Sequence, residues 1–477
     1  AQAVAQQERE AGAHRRPMGA AAGHAPLGLP RPESVASASR SLCGSRASYP
    51  SMTSASSCST SGSRPSSADH HDASSCGTSF TPASSASSAS STASLDSLVD
   101  MVNRISIPTG DSRCRSAASS RSSVLSDGPE PVSIRTFEFI KMLGRGTHGK
   151  VFLARHRGNR RLYAVKQLKK ASVVKSNQRE NTCREFNVHM ALLQQEALCP
   201  FIAPLRFAFH SRDRLYMVFD YYAGGELFFH LSERGRIPEP MARFFAAQIA
   251  VAVGFLHDKG VVYRDLKPEN ILMCKDGNLH LVDLGLCKDG ITSATEGSTT
   301  FCGTTEYLAP EVLLMQDHGL SVDWWSFGMV LYEMLTGLPP WYSHSQDEVR
   351  EGILHAELTF PSYVSVEARD LISGLLDRDP AKRIGSREDL RDLLLHPFFA
   401  GFDWVALVQG RIRPPFCPPQ DGTTTDSLAS NFHPSFTTSR LDVEEDFAPA
   451  LADDLFGHFY FDSLNSMPTS GPPPVAC

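Results

Sequence analysis

Apolar positions are spread unevenly along the chain. Up to about Val132 they stand singly among Ser, Ala, Gly, Arg and Pro, with runs such as Ser84-Ser85-Ala86-Ser87-Ser88. From Thr136 the pattern changes. Phe137-Glu138-Phe139-Ile140, Val151-Phe152-Leu153-Ala154 and Leu162-Tyr163-Ala164-Val165 have the aromatic and β-branched composition of strands. Phe244 to Leu256 is apolar almost throughout, too short to span a bilayer, and is expected as a buried helix. Ile271-Leu272 and Leu281-Val282 are short apolar pairs on either side of a polar stretch, as buried strands around a loop would be. A Pro-rich stretch (Pro414, Pro415, Pro418, Pro419) then leads into an acidic tail, where Phe456 and Phe459 stand three apart with Phe461 beyond.

Composition sharpens this division. Residues 1–135 hold too little apolar surface to offset the entropy of ordering them, so that extension is expected to be disordered. The stretch 136–399 has the composition of a globular domain, ample for a large core, and 400–477 form a separate tail. The net charge of −6 argues against a general nucleic-acid binder. The 11 cysteines are odd in number and include no C-x-x-C pair, which suits reduced thiols in the cytoplasm or the nucleus better than a disulfide framework. The Arg-bearing N-terminus lacks an apolar signal core, and no transmembrane segment is expected. The chain opens with Ala1 rather than Met, as a fragment would.

Four short motifs follow one another in the globular stretch: Gly144-Arg145-Gly146-Thr147-His148-Gly149-Lys150-Val151, Ala164-Val165-Lys166, Tyr263-Arg264-Asp265-Leu266-Lys267-Pro268-Glu269-Asn270, and Asp283-Leu284-Gly285. Any one alone is weak, since a lone G-x-G-x-x-G is as easily a dinucleotide turn. Here, however, the glycines lie between two strand-like segments rather than opening a helix. All four in this order resemble a eukaryotic protein kinase. The resemblance implies an α+β, two-lobed fold: a β-rich small lobe over 136–220 and a helical lobe over 221–399. It also implies ATP and Mg²⁺ as cofactors and protein Ser or Thr hydroxyls as acceptors.

The same resemblance assigns roles. The nucleotide would be held by Leu143, the loop from Gly144 to Val151 (Arg145, Gly146, Thr147, His148, Gly149 and Lys150 included), Ala164, Lys166, Asp220, Tyr222 and Glu226. Lys166 would neutralise the α- and β-phosphates, oriented by a carboxylate on the next helix. Thr182-Cys183-Arg184-Glu185 points to Glu185, with Glu180 as the alternative. Asp265 would accept or orient the substrate's hydroxyl proton, Lys267 would contact the γ-phosphate, and Asn270 and Asp283 would hold magnesium. Tyr263 and Leu284 stand where many kinases have His and Phe, both at packing positions. A pseudokinase scaffold would lack one of Lys166, Asp265, Asn270 or Asp283, and a small-molecule phosphotransferase would lack the segment that follows.

That segment, Thr300-Phe301-Cys302-Gly303-Thr304-Thr305-Glu306-Tyr307-Leu308-Ala309-Pro310-Glu311, resembles the kinase activation segment. It implies an activating phosphate on Thr300, added by an upstream kinase and received by Arg264 and Lys288. Thr304 would meet the substrate, Glu311 would pair with Arg383, and Asp323-Trp324-Trp325 would open the central helix of the large lobe. Lys267 marks a Ser/Thr enzyme. Gly285–Lys288, the segment around Thr300, Asn431-Phe432, Phe436-Thr437 and Phe456-Gly457-His458-Phe459-Tyr460-Phe461 are similar to the AGC group. Within it they fit the branch of protein kinase B, ribosomal S6 kinase and serum- and glucocorticoid-regulated kinase, fungal relatives included. Phe456 and Phe459 would dock on the small lobe, each able to bury on the order of 150–250 Å². Tyr460 stands where regulated relatives carry Ser or Thr. Glu226 and Glu269, beside the base, would favour protein substrates with basic residues at minus three and minus two. A monomeric catalytic unit is expected.

Overall fold

The computed structural model describes residues 131–146, 149–194, 198–419, 427–441 and 456–464. Most of the serine-rich extension therefore lies outside the described residues. Its last residues do not behave as the composition suggested. Val132 and Ile134 are buried with Phe137, Tyr163, Phe207 and Phe209, so the folded domain begins a few residues ahead of the expected 136 boundary. Two apolar side chains in reach of an aromatic cluster outweigh the polar composition around them.

The small lobe is one antiparallel sheet with two helices. Strands β1 (Phe137–Arg145), β2 (Gly149–His156) and β3 (Leu162–Lys169) follow in order. Helices α1 (Lys170–Lys175) and α2 (Arg179–Leu193) come next, then β4 (Leu205–His210) and β5 (Arg214–Asp220). The sheet order is β1-β2-β3-β5-β4, and a tail strand at Phe461–Asp462 pairs with β4 as the sixth. That strand covers an edge whose backbone groups would otherwise face solvent. The β1–β2 register sets Gly144 against Val151, and β2–β3 sets Val151 against Lys166. The glycine-rich turn thus hangs over the strand that carries the lysine.

The large lobe is helical around a small sheet. A short strand β6 (Gly225–Glu226) precedes α3 (Leu227–Arg234) and α4 (Glu239–Asp258). The expected buried helix, Phe244 to Leu256, is the body of α4. The whole of α4, Glu239–Asp258, is long and apolar enough to cross a membrane, yet 83% of its apolar window is buried inside the protein. Strand β7 (Ile271–Met273) pairs with β6 on one side and with β8 (Leu279–Leu281) on the other, and β7 and β8 frame the polar loop between them. Helix α5 (Pro310–Leu313) is followed by α6 (Ser321–Thr336), which is apolar on nearly all sides and runs through the centre of the core. Gly337, at φ 95°, ends it in the left-handed conformation that a side chain would disfavour. Helices α7 (Gln346–His355), α8 (Val366–Leu375), α9 (Leu390–Leu394) and α10 (Trp404–Val408) complete the lobe.

Candidate active site

Lys166 is brought into the cleft by strand alternation. Tyr163 and Val165 on β3 are buried together in the lobe's core, while Lys166, next along the strand, points to the opposite side. Its Nζ donates to both Glu185 oxygens, at 2.8 and 2.9 Å, and to Asp283 Oδ1 at 2.9 Å. Of the two carboxylates open from the sequence, the helix phase of α2 selects Glu185, whose residue is 3% exposed. Burial alone would lower the ammonium's pKa, but Asp283 and Glu185 outweigh it and raise it above the ordinary lysine range. Burial likewise pushes Glu185 up to about 7, and the ammonium against both its oxygens pulls the other way. The ion pair is the state this geometry favours.

The polar loop between α4 and β7 carries the densest hydrogen bonding. Lys267 Nζ lies 3.1 Å from Asp265 Oδ2 and donates to Thr304 Oγ1 at 2.7 Å. Thr304 Oγ1 donates in turn to Asp265 Oδ1 at 3.0 Å. Asn270 Nδ2 donates to the Asp265 carbonyl and carboxylate at 2.9 and 2.8 Å. Burial raises the Asp265 pKa, opposed by Lys267 beside it. Asp283 is shifted the other way, downward, chiefly by Lys166. Its side chain is 46% exposed, toward the cavity it lines. Arg264 and Asp283 both sit at positive φ, 67° and 58°, conformations that L residues adopt at a cost of order 1–3 kcal/mol. Neither was legible in the sequence. Tyr263 and Leu284 are fully buried, as packing positions should be.

Of these groups Lys166, Glu185, Asn270 and Asp283 line a cavity of about 260 Å³ between the lobes, and Asp265 is tied to it through Asn270. Leu143, Gly144, Val151 and Ala164 line it from the sheet, Asp220, Tyr222 and Glu226 from the connecting segment. Phe432 from the tail also lines it, stacked on Tyr221 with centroids 6.0 Å apart. Its signal in the sequence was only its place in a tail motif. The glycines divide in purpose. A Cβ on Gly144 or Gly146 would meet nothing within 4 Å, so the turn faces open space there, whereas one on Gly149 would lie 2.1 Å from the Gln167 carbonyl oxygen. Gly149 is thus required by close packing of β2 on β3. Arg145 and Lys150 flank this turn as the terminal pair of the β1–β2 ladder, while Thr147 and His148 lie outside the described residues. A larger cavity, about 1010 Å³, lies behind the connecting segment and shares Asp220 and Tyr222, but none of Lys166, Asp265 or Asp283 reaches it.

Beside the catalytic loop, burial and the neighbouring Glu269 push Glu226 up to about 7. Two further carboxylates join them that the sequence reasoning missed. Glu306 lies in the activation segment, and Glu333 on α6 accepts from the Tyr307 hydroxyl at 2.6 Å and is pushed by burial up to about 8. Thr300 is exposed. Its expected receivers are otherwise engaged: Arg264 donates to Ser298 Oγ at 3.1 Å and to the Leu286 carbonyl at 2.8 Å, and Lys288 to the Gly297 carbonyl at 2.8 Å. Glu311 and Arg383 meet in a two-point pair at 2.7 and 2.9 Å, both nearly without exposure.

The tail aromatics sit on the small lobe. Phe456 and Phe459 are 1% and 0% exposed, packed among Leu168, Val173, Cys183 and Phe186. Cys183 and Phe186 flank Glu185 on α2, so the tail abuts the helix that carries the lysine's partner. Phe459 and Phe186 have centroids 4.7 Å apart, and Lys170 Nζ lies 5.8 Å over the Phe456 ring. Tyr460 points away, 47% exposed. His189, one turn beyond Glu185, is buried against Phe219, and its Nε2 has no partner among the described residues.

The sequence matches the protein kinase domain family over residues 137–399, more than half of the chain. It is 45% identical over 302 residues to the serine/threonine-protein kinase Sgk1 of Xenopus tropicalis, covering 63% of this chain and 70% of that protein. It is 44% identical over 301 residues to Sgk2 of Homo sapiens, covering 63% and 80%. The RAC family serine/threonine-protein kinase homolog of Dictyostelium discoideum is 42% identical over 308 residues, covering 65% and 67%.

Proposed function

We propose that this chain, which belongs to the protein kinase family and within it to the AGC serine/threonine kinases, phosphorylates Ser and Thr residues preceded by basic residues. The observation that carries the reading is the meeting of Lys166, Asp265, Asn270 and Asp283 in one cleft, with Glu226 and Glu269 at its peptide end. The substrate oxygen attacks the γ-phosphorus as the bond to the β–γ bridging oxygen breaks. Asp265 accepts or orients the departing hydroxyl proton, and Thr304, bonded to Asp265 and Lys267, sets the acceptor side of the cleft. Lys166, aligned by Glu185, holds the α- and β-phosphates, and Lys267 meets the γ-phosphate. Catalysis is positioning and charge neutralisation rather than covalent chemistry.

Protein kinases use ATP and generally Mg²⁺, and the residues here fit that pairing. The amide nitrogen of Asn270 is taken by Asp265. Its oxygen, with the Asp283 carboxylate, forms a hard-oxygen donor set that magnesium accepts alongside phosphate oxygens. Bound there, magnesium would neutralise phosphate charge. An upstream kinase acting on Thr300 would supply a phosphate able to draw Arg264 and Lys288 from their present partners.

The test is phosphorylation of a Ser/Thr peptide library by the purified full chain with ATP and Mg²⁺. Selection of Arg or Lys at minus three and minus two is expected. Transfer without any upstream preference would overturn the substrate reading, and no transfer after phosphorylation of Thr300 would overturn the catalytic one.

A further inference from the structure

Beneath the catalytic loop runs a polar chain that none of these roles uses. His257, in the last turn of α4, is wholly buried between two carboxylates. Its Nε2 lies 2.8 Å from Asp323 Oδ2 on α6, and its Nδ1 2.8 Å from Asp389 Oδ1 in the loop before α9. A neutral imidazole has one N–H to give, whereas two carboxylate acceptors at this distance call for both. Asp323 turns its other bonds to the backbone ahead of Asp265. Oδ2 accepts from Tyr263 N and Oδ1 from Arg264 N, each at 2.7 Å. Arg264 is the residue held at φ 67°, so these charge-assisted bonds keep a strained backbone in place.

The far end of the chain is built with equal care. Asp389 has φ 52° and ψ −129°, a region that side chains other than glycine's rarely occupy. Trp324 Nε1 donates to its Oδ1 at 2.7 Å. A Cβ on Gly254 would lie 2.7 Å from the Leu390 Cβ, so this glycine lets α4 approach the loop closely enough for His257 to reach Asp389. The charged neighbours are otherwise committed. Asp258 pairs with Lys259 at 3.0 Å, Glu388 with Arg391 at 3.5 Å, and Asp392 accepts from the Gly385 and Glu388 amides at 3.1 and 3.2 Å.

We propose that Asp389 is a positioning residue for phosphoryl transfer, acting through His257 and Asp323 on the backbone that presents Asp265. The proposal rests on Asp265 being the catalytic carboxylate. Burial opposes charge on His257, but Asp389 and Asp323 outweigh it and raise its pKa to about 9. The doubly donating imidazolium is therefore present below that pH and lost as pH rises through it. Asp389→Asn keeps the shape of the acceptor but removes a charge, so the histidine loses its proton at lower pH and the loop loosens earlier.

The experiment is kcat and KM for ATP against pH, from about 6 to 10, for the full chain and for Asp389→Asn. The alkaline limb of kcat should move down by at least one pH unit, a tenfold change in proton affinity, with KM for ATP unchanged. Asp392→Asn disturbs the same loop without touching His257 and should leave the limb in place. An equal loss at every pH in Asp389→Asn, or an unmoved limb, overturns the proposal. If that variant does not fold, the ring NMR signals of His257 in the wild-type chain decide. Protonation persisting above pH 8 supports the relay, and a neutral ring at pH 7 overturns it. That readout needs no kinase activity, so it separates failure of the relay from failure of the catalytic reading.

Discussion

The catalytic loop and the tail dock are both buried, but different physics holds them. In the first, directional bonds hold the key groups: Asp323 takes the Tyr263 and Arg264 amides from below, and Lys267, Thr304 and Asn270 surround Asp265. Phe456 and Phe459 instead sit in an apolar cluster where contact area decides, and the neighbouring Tyr460 is about half exposed. The first region should be intolerant of isosteric changes that alter charge or donor pattern. The second should tolerate polar edits at its rim and fail only when surface is removed.

Asp265→Asn attacks the contrast where it is strongest. It preserves volume and removes the proton acceptor, so kcat should fall by about 10²–10⁴ while ATP affinity, measured by calorimetry, stays near wild type. A variant with wild-type turnover would break the distinction at its root. Phe456→Ala with Phe459→Ala is next. A large buried ring lost from a core costs about 3–5 kcal/mol, an upper bound here because the tail can undock as a unit. A melting temperature lower by several degrees and a slower peptide-kinase rate are expected. Wild-type values for both would mean that the dock contributes nothing to α2.

Glu226 sharpens the comparison from the charged side. Its pKa is raised to about 7, chiefly by burial and then by Glu269, so the carboxylate is mostly neutral at pH 6 and mostly ionised at pH 8. A basic peptide should bind better as pH rises, its KM dropping up to about tenfold over those two units if that carboxylate is the main contact. A peptide lacking upstream basic residues should not follow, and parallel curves would remove Glu226 from recognition. Tyr460→Phe should do least, within about 0.5 kcal/mol in thermal stability. A severe loss there would turn the tail into a hydroxyl- or phosphate-dependent switch.

Local order was legible in the chain because it is written in local patterns. The strand–turn–strand around Gly144 to Val151, Lys166 on β3 and the loop between two apolar strands all follow from alternation and motif spacing. The branch could be read from contiguous words such as Gly285–Lys288 and Phe456–Phe461. The burial of Val132 and Ile134 just ahead of the domain was not legible, because composition is averaged over a window whereas these two are buried one side chain at a time.

Tertiary structure alone decided the rest. Glu185 over Glu180 is a matter of helix phase against β3, and Phe432 reaches the cavity only because the tail returns across the connecting segment. The positive φ of Arg264 and Asp283 leaves no residue-type signal, since neither is the glycine that such backbone favours. Asp389 meets His257 across 132 residues of chain. Motif and periodicity report what neighbours along the chain must do. A contact at that separation exists only once apolar burial has stacked α4, α6 and the loop before α9, and charge then settles on whichever polar groups that packing brings within 3 Å.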